Sequence, residues 1–158
     1  MKLNFLFSNK YKTPGWFILF IGLILFCLTF FIGEEPSFFD VKVFTMSANG
    51  FGDTDRYFEF ISNNVYNEIT AIFIIVGGLL TTFSKEKNED EYIAKIRLSS
   101  LSWAVLVNYI VLLFAIIFIY DFSFFTIMIL NMFTTIIFFI IRFNIQLYKL
   151  NKMDSDEK

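Results

Sequence analysis

The chain has 158 residues, of which 56% are hydrophobic and 21% aromatic, against roughly 45–50% apolar in an ordinary soluble domain. Its formal net charge is -2, Cys27 is its single cysteine, and it has no histidine. These facts exclude a nucleic-acid surface built on excess positive charge, an intrachain disulfide, and chemistry that needs an imidazole: Ser–His or Cys–His nucleophiles, His₂ metal sites and axial histidine ligation of haem.

The apolar excess is concentrated in runs. The first, Gly15–Gly33, has no charged residue. It approaches the ~20 residues that a span requires. Lys2, Lys10 and Lys12 give a basic start, but Glu34-Glu35-Pro36 is no small-residue cleavage site, so the run reads as a retained span. Pro14 suits the first turn of that helix. Cys27, in mid-run, reads as a small packing residue. Residues 34–66 form the largest loop. Asn49-Gly50 and Gly52-Asp53 mark turns there. Val41–Phe44 reads as a short strand and Tyr57–Ile61 as a short interfacial helix.

The second span is expected over 67–83, with Glu68 at its start and Gly77-Gly78 as a close-packing notch. Asn88 followed by Glu89, Asp90 and Glu91 has the form of a helix N-terminus, with carboxylates at the positive end of the dipole. One continuous helix is therefore expected from about Glu89 to Tyr120. Its membrane part is 101–120, and its first third projects beyond the ~30 Å hydrocarbon core. After a short turn at Asp121, the fourth span is expected over 122–141. A polar tail follows, with 151–158 expected to be disordered. The 24 phenylalanines read as lipid-facing and helix-packing residues.

Lysine and arginine alternate from side to side. Three lysines precede the first span, and Lys85, Lys87, Lys95 and Arg97 lie between the second and third. Arg142, Lys149, Lys152 and Lys158 follow the fourth. The large loop holds only Lys42 and Arg56, and the Asp121 turn holds none. The positive-inside rule then puts both termini and the 84–98 loop in the cytoplasm. The expected fold is an all-α four-transmembrane-helix bundle in one membrane domain, residues 1–150, with helix three extended into the cytoplasm.

Few residues carry chemistry. Glu68 is first an interfacial or capping acid and second an intramembrane functional group. Asn108 and Asn131 lie inside spans three and four, where amides seek interhelical partners. Counted from the predicted span ends they differ in height by ~8 Å, too much for a direct bond without tilt, so Thr134, Thr135 or Tyr109 stand as partners. The acids Glu86, Glu89, Asp90 and Glu91 lack the spacing and glycine of an EF-hand loop and read as a solvated helix start. Glu34, Glu35, Asp53 and Asp55 would have to serve any enzyme, and no spacing supports one.

The run Ser84–Ile93, then Ile96–Leu101, Trp103 and Asn108-Tyr109, and later Asn131–Thr134 and Phe138–Phe143, resembles a group of small multi-pass Bacteroidetes membrane proteins that carries no assigned activity. The resemblance covers roughly Glu68 to Tyr148. It implies a bacterial cytoplasmic-membrane location and transfers no functional residue.

The leading expectation is a non-enzymatic accessory or sensing subunit, without cofactor or metal. Its partners would be the lipid bilayer and a membrane protein or a second copy, not nucleic acid. Glu89, Asp90, Glu91 and Arg97 would form its docking helix. The rival is a small oligomeric transporter or channel using Glu68, Asn108 and Asn131.

Overall fold

The computed structural model describes residues 6–33, 36–48, 56–87 and 89–156. Four long helices dominate: α1 (Lys12–Ile32), α2 (Tyr66–Phe83), α3 (Glu91–Phe118) and α4 (Asp121–Asp156). Between α1 and α2 lies an antiparallel hairpin, β1 (Asp40–Thr45) and β2 (Glu59–Asn64). All four helices are long and apolar enough to cross a membrane.

Helix α1 ends where Gly33 turns left-handed at φ 72° and donates its N–H to the Thr29 carbonyl. Glycine adopts that conformation without a Cβ penalty. The expected strand over Val41–Phe44 lies within β1. The helix expected over Tyr57–Ile61 does not form; its second half lies in β2. The backbone of β1 needs a ladder partner, and β2 supplies residues that pair well across it. Val43 faces Ile61 and Phe44 faces Phe60, whose rings are 5.4 Å apart. An Ala48–Arg56 bridge continues the ladder. The turns expected at Asn49-Gly50 and Gly52-Asp53 lie outside the described residues.

Asn64 joins the hairpin to α2. Its side-chain oxygen accepts the Tyr66 N–H at 3.0 Å, and its Nδ2 donates to the Pro36 carbonyl and to Asp40. The Tyr66 hydroxyl then donates to the Leu25 carbonyl of α1 at 3.0 Å.

Helix α1 packs on α2, α2 on α4, and α4 on α3. These are the most extensive helix–helix contacts. Helix α2 packs on both α1 and α4 because its adjacent glycines serve both neighbours. A Cβ at Gly77 would meet the backbone of Leu19, with the Cα at 2.7 Å, and one at Gly78 would meet Ile136 Cγ2 at 2.5 Å. The notch expected at Gly77-Gly78 thus has two sides. Gly15 and Gly22 of α1 complete the contact, because a Cβ on either would come within 2.9 Å of α2. Cys27 is exposed on α1 and does not pack inward. The core consists of Leu19, Ile74, Ile93, Ala104, Phe133, Phe139, Ile140 and Phe143, half of them from α4.

Two helix limits differ from the sequence reading. Helix α3 starts at Glu91 with Asp90 as its cap; the Asp90 carboxylate accepts the Ile93 N–H at 2.7 Å. Asn88, the expected cap, lies outside the described residues. Helix α4 does not stop at Ile141. The segment expected to be a disordered tail is helical through Asp156. Phe139, Phe143, Leu147 and Leu150 recur at helical spacing, and the last two pack on the core cluster. That apolar stripe favours continued helix over fraying.

Candidate functional site

Three groups of polar side chains stand out in this apolar protein. The first surrounds Arg97, which is 4% exposed. One guanidinium nitrogen donates to the Thr82 carbonyl at 2.5 Å. The other reaches the Ser84 carbonyl at 3.3 Å and both Glu89 carboxylate oxygens at 3.0 and 3.2 Å. These carbonyls sit where α2 ends, so a cation there also meets the negative end of the helix dipole. Glu89 turns back to accept the Glu86 N–H at 2.7 Å. The Arg97 fork thereby ties the end of α2, the 84–90 loop and the start of α3 into one unit.

The N-terminal segment joins the same unit. Phe7 pairs with the chain beside Ser84, exchanging backbone bonds with Phe83 and Lys85. Asn9 donates to the Lys85 carbonyl at 2.6 Å, and Lys12 pairs with Glu86 at 2.5 Å. Three of the four expected docking residues are therefore engaged internally: Arg97, Glu89 and Asp90. Asp90 and Glu91 both keep exposed side chains. Of the acids read as a solvated helix start, Asp90 and Glu91 are exposed at the start of α3, whereas Glu86 and Glu89 are half-buried. Sequence reasoning missed this because Arg97 lies eight residues beyond Glu89 across a helix start. The available signal was an arginine one turn before a run long and apolar enough to cross a membrane, where a cation needs a partner.

The second group is the Asn108–Asn131 pair. The two amides bond reciprocally, at 3.2 and 3.1 Å, and the Thr134 hydroxyl also contacts Asn108 Oδ1. Thr134 was an expected partner; the direct amide pair was not. The expected ~8 Å offset came from counting to opposite predicted ends. Counted from the shared α3–α4 turn, both asparagines lie ten residues away, ~15 Å at 1.5 Å per residue. Asp121 makes that turn tight, with φ 58°. Nearer the Arg97 end, the same two helices exchange cation–π contacts. Arg97 lies over Phe143 and Arg142 over Trp103, each 4.6 Å from the ring centroid.

Glu68 belongs to neither group. It is exposed in the first turn of α2 and accepts a bond from Asn63 at 3.1 Å. It stands at the start of α2 as expected, but its partner is a side chain of β2 and not an α2 amide. Of the three expected pathway residues, Asn108 and Asn131 meet and Glu68 lies apart.

The third group lines a groove of about 290 Å³ between α1, α2 and α4, close to the hairpin. Thr29, Asn67, Thr70 and Thr126 contribute from three helices, above an apolar floor that includes Ile129 and Phe133. Among the described residues, no three acids or cysteines converge as a metal site would need. No family model, no curated protein and no solved structure matches this chain.

Proposed function

We propose that this protein is a multi-pass component of a bacterial cytoplasmic membrane, with both termini and the α2–α3 loop on the cytoplasmic side. It serves there as a non-enzymatic accessory subunit that works through protein contacts inside the bilayer. The observation that carries this reading is the apolar exposure of α1 and α3, whose broad outer faces include Phe17, Phe20, Leu106 and Leu113. Faces of this kind suit packing against further transmembrane helices. The charged end is a poorer docking surface, because Arg97, Glu89 and Asp90 are spent on holding the chain together.

The orientation rests on lysine and arginine placement. At ~1.5 Å per residue, α3 is ~42 Å and α4 ~54 Å long, so both outrun a ~30 Å core. Their excess falls beside Lys95, Lys149 and Lys152, the side that the basic residues assign to the cytoplasm. The bacterial location also follows from the Bacteroidetes resemblance. A transporter reading loses support because the asparagines that would line its path satisfy each other.

Affinity purification from native membranes in mild detergent, followed by native mass, tests the reading. It predicts a stoichiometric membrane-protein partner that is lost when Phe17 and Phe20, or Leu106 and Leu113, are replaced by alanine. Recovery of the chain alone or only with itself, together with solute flux in reconstituted vesicles, would overturn it.

A further inference from the structure

We propose that the groove between α1, α2 and α4 is a binding site for an uncharged lipid end: one apolar chain whose head carries a carbonyl oxygen. This requires the helices to lie in a bilayer but does not depend on the accessory-subunit reading.

The first argument is polarity by depth. Thr29, Asn67, Thr70 and Thr126 lie within ~8 Å of the ends of their helices on the hairpin side, beside Phe30 and Ala71, whereas Ile129 and Phe133 lie ~12 and ~18 Å down, at 1.5 Å per residue. Polar groups confined to the mouth, with apolar residues alone below, match an amphiphile entering chain first. The second argument is charge. Among the described residues, no lysine, arginine, aspartate or glutamate lines the groove, a lining that suits a neutral bound portion with any phosphate outside. The third is size. About 290 Å³ sits at the lower edge of the ~300–1,000 Å³ usual for small-molecule sites. A partner helix, ~10 Å across, would have to lie over the groove, not in it.

The fourth argument is Thr70. It is 4% exposed, and its hydroxyl has no partner among the described residues. The usual remedy inside a helix is a bond to the carbonyl four residues back. Thr29, Thr81, Ser84 and Thr126 all make that bond, and Thr70 does not. Of the buried unpartnered hydroxyls, Thr70, Thr82 and Ser100, it alone lines the groove. Its oxygen is occluded in the observed rotamer. Threonine has two χ1 wells in a helix, and rotation between them re-aims the donor without moving the backbone. A hydroxyl donor in apolar surroundings calls for an acceptor. An ester or other neutral carbonyl provides one, at the depth where lipid headgroups give way to chains.

The test reconstitutes the full chain in phosphatidylethanolamine–phosphatidylglycerol vesicles. These carry a trace of photoactivatable phosphatidylethanolamine with its diazirine beside the acyl ester. Labelled positions are mapped by mass spectrometry. Label should concentrate on the groove residues of α1, α2 and α4 and compete saturably. Thr70→Val should lower it about two- to tenfold, the range of one net hydrogen bond, and Thr70→Ser should restore it. Ala71→Phe, which fills the groove, should abolish it there while labelling at Phe20 and Leu106 persists. Competition by diacylglycerol alone assigns the site to a neutral lipid. Equal competition by phosphatidylethanolamine assigns it to bulk phospholipid. Label spread evenly over the lipid-facing residues, or indifferent to Thr70→Val, overturns the proposal, as does cross-linking of the groove to another polypeptide. Failure of the chain to enter vesicles overturns both the site and the membrane reading; entry without groove labelling overturns the site alone.

Discussion

Helices α1 and α2 meet backbone to backbone, whereas α3 and α4 meet through long polar and aromatic side chains. In the first pair, Gly15, Gly22 and Gly77 leave no room for even one Cβ. In the second, an amide pair and two arginine–aromatic contacts span the gap. Both suit an apolar solvent. Where lipid provides no hydrophobic drive between helices, close packing and internal hydrogen bonds must supply the attraction. The first mode tolerates no added atom; the second loses its individual ties in small steps.

The largest effect should come from the element that joins the two pairs. Arg97→Met leaves Glu89 half-buried without its partner and should cost about 3–5 kcal/mol, the range for breaking a buried ion pair from one side. Adding Glu89→Leu should recover part of that loss. Unfolding in mild detergent, followed by helical ellipticity, measures both. If Arg97→Met unfolds like the native chain, the clasp is ornamental and the two pairs are independent.

Next comes the glycine contact. Gly77→Leu should cost about 1–3 kcal/mol or somewhat more, because the opposing atoms of Leu19 are backbone and cannot rotate away. Gly78→Ala should cost less, because it adds a single carbon and meets the branch methyl of Ile136, not backbone. Equal costs at the two glycines would erase the distinction between backbone and side-chain neighbours.

The amide pair should contribute less still. Asn108→Leu and Asn131→Leu, taken through a double-mutant cycle, should show a coupling of about 0.6 kcal/mol and at most about 1.7, the range for hydrogen bonds between membrane helices. An effect of similar size is expected for Trp103→Leu, which removes one ring from beneath Arg142 and should cost about 0.5–1 kcal/mol. A Trp103 effect larger than that of Gly77 would reverse the contrast drawn between the pairs.

Much of this was legible in the chain. Apolar runs located all four helices, and the paired glycines announced a close approach. Glu68 read correctly as an acid at a helix start, since its neighbour Asn63 supplies the donor. The misses share a cause: each depends on a partner distant in sequence. The Arg97 clasp needs the end of α2 folded against the start of α3. The amide pair becomes visible only when heights are counted from the α3–α4 turn. The final turns of α4 hold because Leu147 and Leu150 find a core, and composition alone made them a polar tail. The β2 strand formed because β1 lies beside it.

The account rests on four crossings that leave the hairpin outside and the Arg97 clasp inside. Thiol accessibility tests this directly. In a Cys27→Ser background, single cysteines replace Ser8, Ser62 or Tyr148, all exposed, and a membrane-impermeant maleimide is applied to intact and permeabilised bacterial cells. The prediction is that Ser62→Cys labels in intact cells, while Ser8→Cys and Tyr148→Cys label only after permeabilisation. Labelling of all three in intact cells, or protection of Ser62→Cys with labelling of the others, would contradict it.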